Sequence, residues 1–183
     1  KTKYLHLMGC SLSASTSMRK ALLKAVKIAR EKDITVSFDP NIRPELLQLD
    51  EIKKVFEEII RVTDILLTGA EELQLLFEEK RIEEIIDNLQ KKYEIEIIVL
   101  KNGSKGTRIF EGKQEKFIPP LSVTEVDPTG AGDCFDGAFI AALAEGKSTK
   151  KAGEIGNAAG ALSVTKKGPM EGAAYREEIR KML

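Results

Sequence analysis

Short runs of β-branched and aliphatic residues alternate along this chain with segments of helical apolar spacing, and that alternation leaves few folds open. Tyr4-Leu5-His6-Leu7-Met8-Gly9 reads as a first strand, and the polar stretch Ser11 to Ser17 offers N-caps for the helix behind it. That helix runs to about Lys32, with Leu22, Ala25, Val26 and Ala29 on one face. Ile34 to Phe38 forms a strand ending at Asp39, followed by a helix from about Asp50 to Arg61 and the strand Ile65-Leu66-Leu67. Helices over roughly Ala70 to Phe77 and Ile82 to Lys91 lead to a strand from Ile95 to Lys101. Thr107 to Phe110 and Glu115 to Ile118 form a hairpin around Gly112. Helices over about Thr149 to Lys166 and from Tyr175 close the chain. Such alternation implies right-handed crossovers and an α/β fold whose mainly parallel sheet carries helices on both faces. Ligands in such sheets gather at the carboxyl ends of the strands.

The chain has 183 residues, 42% of them hydrophobic, enough for one good core and a single domain. Its formal net charge is zero, so no basic footprint points to nucleic acid or an anionic membrane surface. Cys10 and Cys134 have no metal-ligand spacing and form no disulfide framework. With no signal peptide and no long apolar run, free thiols predict a cytoplasmic protein. No internal repeat appears. No Walker A pattern and no G-x-G-x-x-G after the first strand appear either, which removes the main support for P-loop kinases and dinucleotide dehydrogenases.

One segment carries the chemistry. Asp127-Pro128-Thr129-Gly130-Ala131-Gly132-Asp133 sets a glycine-rich turn and a carboxylate before a helix in which Phe135, Ala138, Phe139, Ala142 and Leu143 share a face, with Gly146 as a stop. Glycines there let the backbone turn tightly and approach a ligand, and the free amides of a helix start attract anions. Asp133 stands among those amides as a possible general base, although a first-turn carboxylate also stabilises a helix start without any catalytic role.

The full segment, Asp127 to Ile140, is similar position by position to the C-terminal signature of the ribokinase-like (PfkB) sugar kinases. That resemblance implies a ribokinase-like fold and ATP-dependent phosphoryl transfer with Mg²⁺. It implies that Asp133 deprotonates the acceptor hydroxyl while the amides of Gly130, Ala131, Gly132 and Asp133 stabilise the transferred phosphoryl group.

Other segments extend the resemblance. Asp39-Pro40-Asn41-Ile42-Arg43-Pro44 is locally an ordinary turn, and it also resembles the D-P-N-x-R motif of 2-keto-3-deoxygluconate kinases and fructokinases. The resemblance places Asp39, Asn41 and Arg43 near the phosphoryl acceptor, and a guanidinium suits the carboxylate of an acidic sugar. Thr68 and Glu71 make an adequate capping box in Leu67-Thr68-Gly69-Ala70-Glu71-Glu72-Leu73. The family has N-x-x-E here, with the pair organising water around Mg²⁺. Glu72 takes the Glu position, and Gly69 stands where the family has Asn.

Val99 to Thr107 is a plain hairpin turn on local grounds, and it resembles the family's nucleotide loop. Gly103, Ser104 and Gly106 would then approach ATP, with Lys101 or Lys105 neutralising its phosphates. Gly153, Gly156 and Gly160 recur at helical spacing, as on a helix packing surface. In the family this helix borders the adenine, which makes Asn157 and Ala161 lining residues. His6 reads as structural.

The resemblance covers nearly the whole sequence but only the C-terminal part of the family fold. The N-terminal lid, which supplies most sugar contacts, is absent, and the chain starts at Lys1 directly on a strand. A fragment with an unpaired sheet edge is expected, one that self-associates or needs its N-terminal half. The sequence therefore predicts the nucleotide half of an ATP-dependent sugar kinase acting on 2-keto-3-deoxygluconate. Fructokinase, another sugar kinase of the family, or a catalytically silent nucleotide-binding module remain as alternatives.

Overall fold

A computed structural model describes residues 2–42, 50–77 and 81–183. Six strands form one sheet in the order β1 (Tyr4–Met8), β2 (Thr35–Asp39), β3 (Ile65–Gly69), β4 (Ile97–Lys101), β5 (Thr107–Glu111) and β6 (Gln114–Ile118). The pairs β1 with β2 and β2 with β3 are parallel, with Leu5 opposite Val36 and Phe38 opposite Leu66. Along β2, β3 and β4 the buried positions run on without alternating, the mark of strands covered on both faces. The expected α/β class, mainly parallel, is what forms.

The chain divides into two compact units. The first comprises Lys1–Leu100 with Phe110–Lys113. Here a short 3₁₀ turn, Gly9–Ser13, precedes α1 (Thr16–Glu31), and of the serines available Ser15 caps it, its hydroxyl accepting from the Met18 amide at 3.1 Å. The unit also holds α2 (Asp50–Ile60), α3 (Ala70–Leu76) and α4 (Ile82–Tyr93). Leu7, Phe38, Ile59, Leu66, Leu73, Ile85, Leu89 and Ile98 fill its core. His6 donates to or accepts from the Ser37 hydroxyl at 2.9 Å across the β1–β2 pair.

The second unit comprises Lys101–Ile109 and Gln114–Leu183, with α5 (Ala131–Ala144), α6 (Thr149–Ser163) and α7 (Arg176–Met182). Its core is the α5–α6 contact. Phe135 and Phe139 stack with centroids 5.9 Å apart, and a Cβ built at Gly156 would lie 2.8 Å from the Phe135 ring. The glycine strip is thus a packing surface at Gly153 and Gly156, where no larger residue fits. The helix stop at Gly146 also forms, with φ 79°, the Gly146 amide donating to Leu143 O and the Lys147 amide to Ala142 O, the paired bonds of a Schellman motif.

Candidate active site

In the second unit, β4 delivers Lys101 to its carboxyl end and the chain turns at once through a 3₁₀ segment, Gly103–Lys105. Gly106 closes that turn at φ 86°, where a side chain would collide with the Ile118 carbonyl, and its own carbonyl accepts from the Asn102 amide at 3.0 Å. The turn, the stretch after β6, the start of α5 and the side of α6 enclose a cavity of about 560 Å³. Of the residues singled out in the sequence, Lys101, Gly103, Ser104, Ala131, Gly132, Asn157 and Ala161 line it, whereas Gly106 and Gly130 shape the neighbouring backbone and are not among its lining residues.

The helix start is built for an anion. Gly130 is the N-cap of α5 at φ 84°, and a Cβ there would lie 2.5 Å from Pro169 O. With no cap side chain, Gly130 offers no acceptor to the amides of the first turn, which stand at the positive end of the helix. Asp133, third in the helix, is exposed. The Asp127 carboxylate accepts from Thr129 N at 3.0 Å and Gly168 N at 2.9 Å, which ties the segment behind Pro169 to the loop that leads into α5. A side-chain hydrogen bond with Thr129, and after it the two backbone bonds from Thr129 and Gly168, hold its pKa below the ordinary 3.8. A depressed carboxylate pKa stabilises the fold above the unfolded value and loses its effect as pH falls through the folded one. The protection of the Thr129 and Gly168 amides, measured against the intrinsic exchange rate at each pH, should therefore fall in Asp127→Ala at neutral pH, and in the unmodified protein only once pH drops below that of an ordinary carboxylate. Unchanged exchange in the variant would show that the tie carries no load.

Of the two lysines the sequence left open, the structure brings Lys101 to the cavity, while Lys105 is exposed at the end of the 3₁₀ turn. Lys101 Nζ donates to both carboxylate oxygens of Asp136, at 3.0 and 3.1 Å. Asp136 is 1% exposed, and sequence reasoning missed it. The signal was present in Asp133-Cys134-Phe135-Asp136, where a second acid falls next to Phe135 on the face that turns inward. Asn157 lines the cavity with its amide already engaged: Oδ1 accepts from Thr107 Oγ1 at 2.6 Å and Nδ2 donates to Pro119 O at 2.9 Å. It fixes the strand ends around the pocket. Burial pushes the Cys134 thiol up, which leaves it a neutral neighbour of Asp133.

The first unit holds the remaining expected residues. Asp39 Oδ1 accepts from the Asn41 amide at 3.0 Å, an Asx turn that sets Asn41 at φ 40°. Arg43 lies outside the described residues. Glu72 accepts from Gly69 N at 2.7 Å and Thr68 Oγ1 at 3.2 Å on one oxygen, and from Ile42 N at 3.1 Å on the other. Gly69, not Thr68, is thus the N-cap of α3, and Glu72 rather than Glu71 closes the box, because the strand carries on through Gly69.

A family model described as pfkB family carbohydrate kinase matches residues 1–174. The chain belongs to the pfkB family. It is 33% identical over 183 residues to the 2-dehydro-3-deoxygluconokinase of Bacillus subtilis, covering 98% of this chain and 56% of that protein. It is 31% identical over 184 residues to an Escherichia coli fructokinase, covering 97% of this chain and 60% of that one. An E. coli protein assigned as a ribokinase II and solved in complex with ATP and Mg²⁺ shares the fold at TM-score 0.94 and 36% identity, over 98% of this chain and 58% of its own. The chain therefore spans between 56% and 60% of the length of these pfkB and ribokinase-type relatives.

The residues fit a nucleotide. A cavity of about 560 Å³ lies within the roughly 300–1,000 Å³ of small-molecule sites, with Phe135, Leu121 and Val164 as an apolar slot and Lys101 beside the helix start. They do not form a metal cage: among the described residues no group of three His, Cys, Asp or Glu could hold an ion. Glu72 already accepts from three protein donors. Among the described residues no helix is long and apolar enough to cross a membrane.

Proposed function

We propose that this chain carries the ATP-binding and phosphoryl-transfer part of a sugar kinase whose acceptor is 2-keto-3-deoxygluconate. The observation that supports it most is the helix start at Gly130, where unobstructed amides, Lys101 and the exposed Asp133 lie in one unit with a nucleotide-sized cavity. Asp133 takes the proton of the acceptor hydroxyl as its oxygen bonds to the γ-phosphorus. The bond to the β-phosphate oxygen breaks, ADP leaves, and Asp133 returns the proton to solvent. The amides of Gly132 and Asp133 offset charge on the phosphoryl oxygens. Mg²⁺ arriving with ATP would supply positive charge to its phosphates. Sugar and ATP are the small-molecule partners, and a second copy or an N-terminal half completes the acceptor side.

The acidic acceptor rests on Arg43 in Asp39-Pro40-Asn41-Ile42-Arg43 and on the similarity to a 2-dehydro-3-deoxygluconokinase. A fructose acceptor is the second reading, favoured by the similarity to fructokinase. Phosphorylation assays with both sugars, beside ATP binding by calorimetry, decide between them. Arg43→Ala should raise KM for the keto-acid by about 30-fold, roughly 2 kcal/mol, and leave fructose nearly unaffected. Preference for fructose in the unmodified protein overturns the acceptor, and absence of ATP binding overturns the kinase reading.

A further inference from the structure

A buried carboxylate that the proposed reaction does not use lies beneath the helix start. Asp136 is 1% exposed and receives the Lys101 ammonium on both its oxygens, while the Lys101 side chain keeps 16% exposure and lines the cavity. A Cβ built at Gly132 would lie 3.5 Å from Lys101 Nζ, so the ammonium sits against the first turn of α5. That is the end of the helix where a cation is disfavoured, since the N-terminus already carries roughly half a positive charge. Asp136, one turn further along the same helix, holds it there. The ammonium and the free amides of the helix start are thus brought together at the cavity wall, as donors that a phosphate could meet at once.

We infer that Asp136 is a positioning residue for phosphate recognition: it fixes Lys101 at the start of α5, and the pair sets how strongly the site prefers a nucleotide to the bare nucleoside. This inference rests on the nucleotide reading above. A lysine held by one buried partner has a set direction, whereas a free lysine samples many rotamers and loses that freedom on binding. On this reading the adenosine part would rest against Phe135, Leu121 and Val164 rather than on the ammonium, and its binding would not depend on the pair.

The test compares ATP with adenosine by calorimetry on the purified chain. Asp136→Asn should weaken ATP by about 10-fold or more, and leave adenosine within about twofold. Asp136→Glu should recover part of the loss. In a double-mutant cycle, Asp136→Asn should add little to Lys101→Met, because the carboxylate acts only through the lysine. Breaking a buried pair on one side can unfold a protein, so Lys101→Met/Asp136→Leu is the control. Replacing both charges by apolar groups of similar size is often neutral for folding, and this variant should fold and lose the preference for ATP over adenosine. Equal losses of ATP and adenosine in Asp136→Asn, or a full preference for ATP in the folded double variant, overturn the inference. Failure of the unmodified chain to bind either ligand overturns the nucleotide reading instead.

Discussion

Asp133→Asn should lower kcat by at least about 10²-fold while the ATP Kd stays within about twofold, because only proton abstraction is lost. The amide of residue 133 is retained in that variant, so the anion-binding start of α5 is unchanged. The geometry that motivates this is specific. Asp133 is exposed in the first turn behind a glycine N-cap, whereas Asp136, one turn on, is buried and already paired with Lys101. Single-turnover phosphorylation beside ATP calorimetry gives both numbers. Near-normal turnover would remove Asp133 from the mechanism.

The second large effect concerns stability. Phe139 is fully buried on α5 and stacks on Phe135 at 5.9 Å. Phe139→Ala should destabilise the second unit by about 3–5 kcal/mol, because the facing residues of α6 are small and α5 cannot collapse far into the space left. Urea unfolding followed by circular dichroism measures it. A loss under about 1 kcal/mol would mean that the site repacks freely, which close-packed interiors rarely do.

Local order explains what could be read from the sequence. The strands, the hairpin around Gly112 and the stop at Gly146 are set by residues within a few positions of one another, and the structure has them where the pattern put them. The glycine-rich helix start was legible for the same reason. Asp136 was not, because its meaning depends on Lys101, 35 residues earlier. Asn157 was legible as a pocket residue but not as the residue that joins Thr107 to Pro119, two contacts that only folding creates. The capping box at α3 shows the limit on a smaller scale. Thr68 with Glu71 satisfies the local rule, yet the backbone places Gly69 at the cap, and Glu72 reaches as far as Ile42.

The close contact at Gly156 has a consequence for ligand choice. Phe135 lies against that glycine on one side and lines the cavity on the other. The width of the slot that would accept a purine is therefore governed by how near two helices can approach. A methyl group added at position 156, which touches no ligand, must displace the ring and reshape the slot. The shape of this cavity is therefore open to change through helix spacing alone, without altering any residue that lines it.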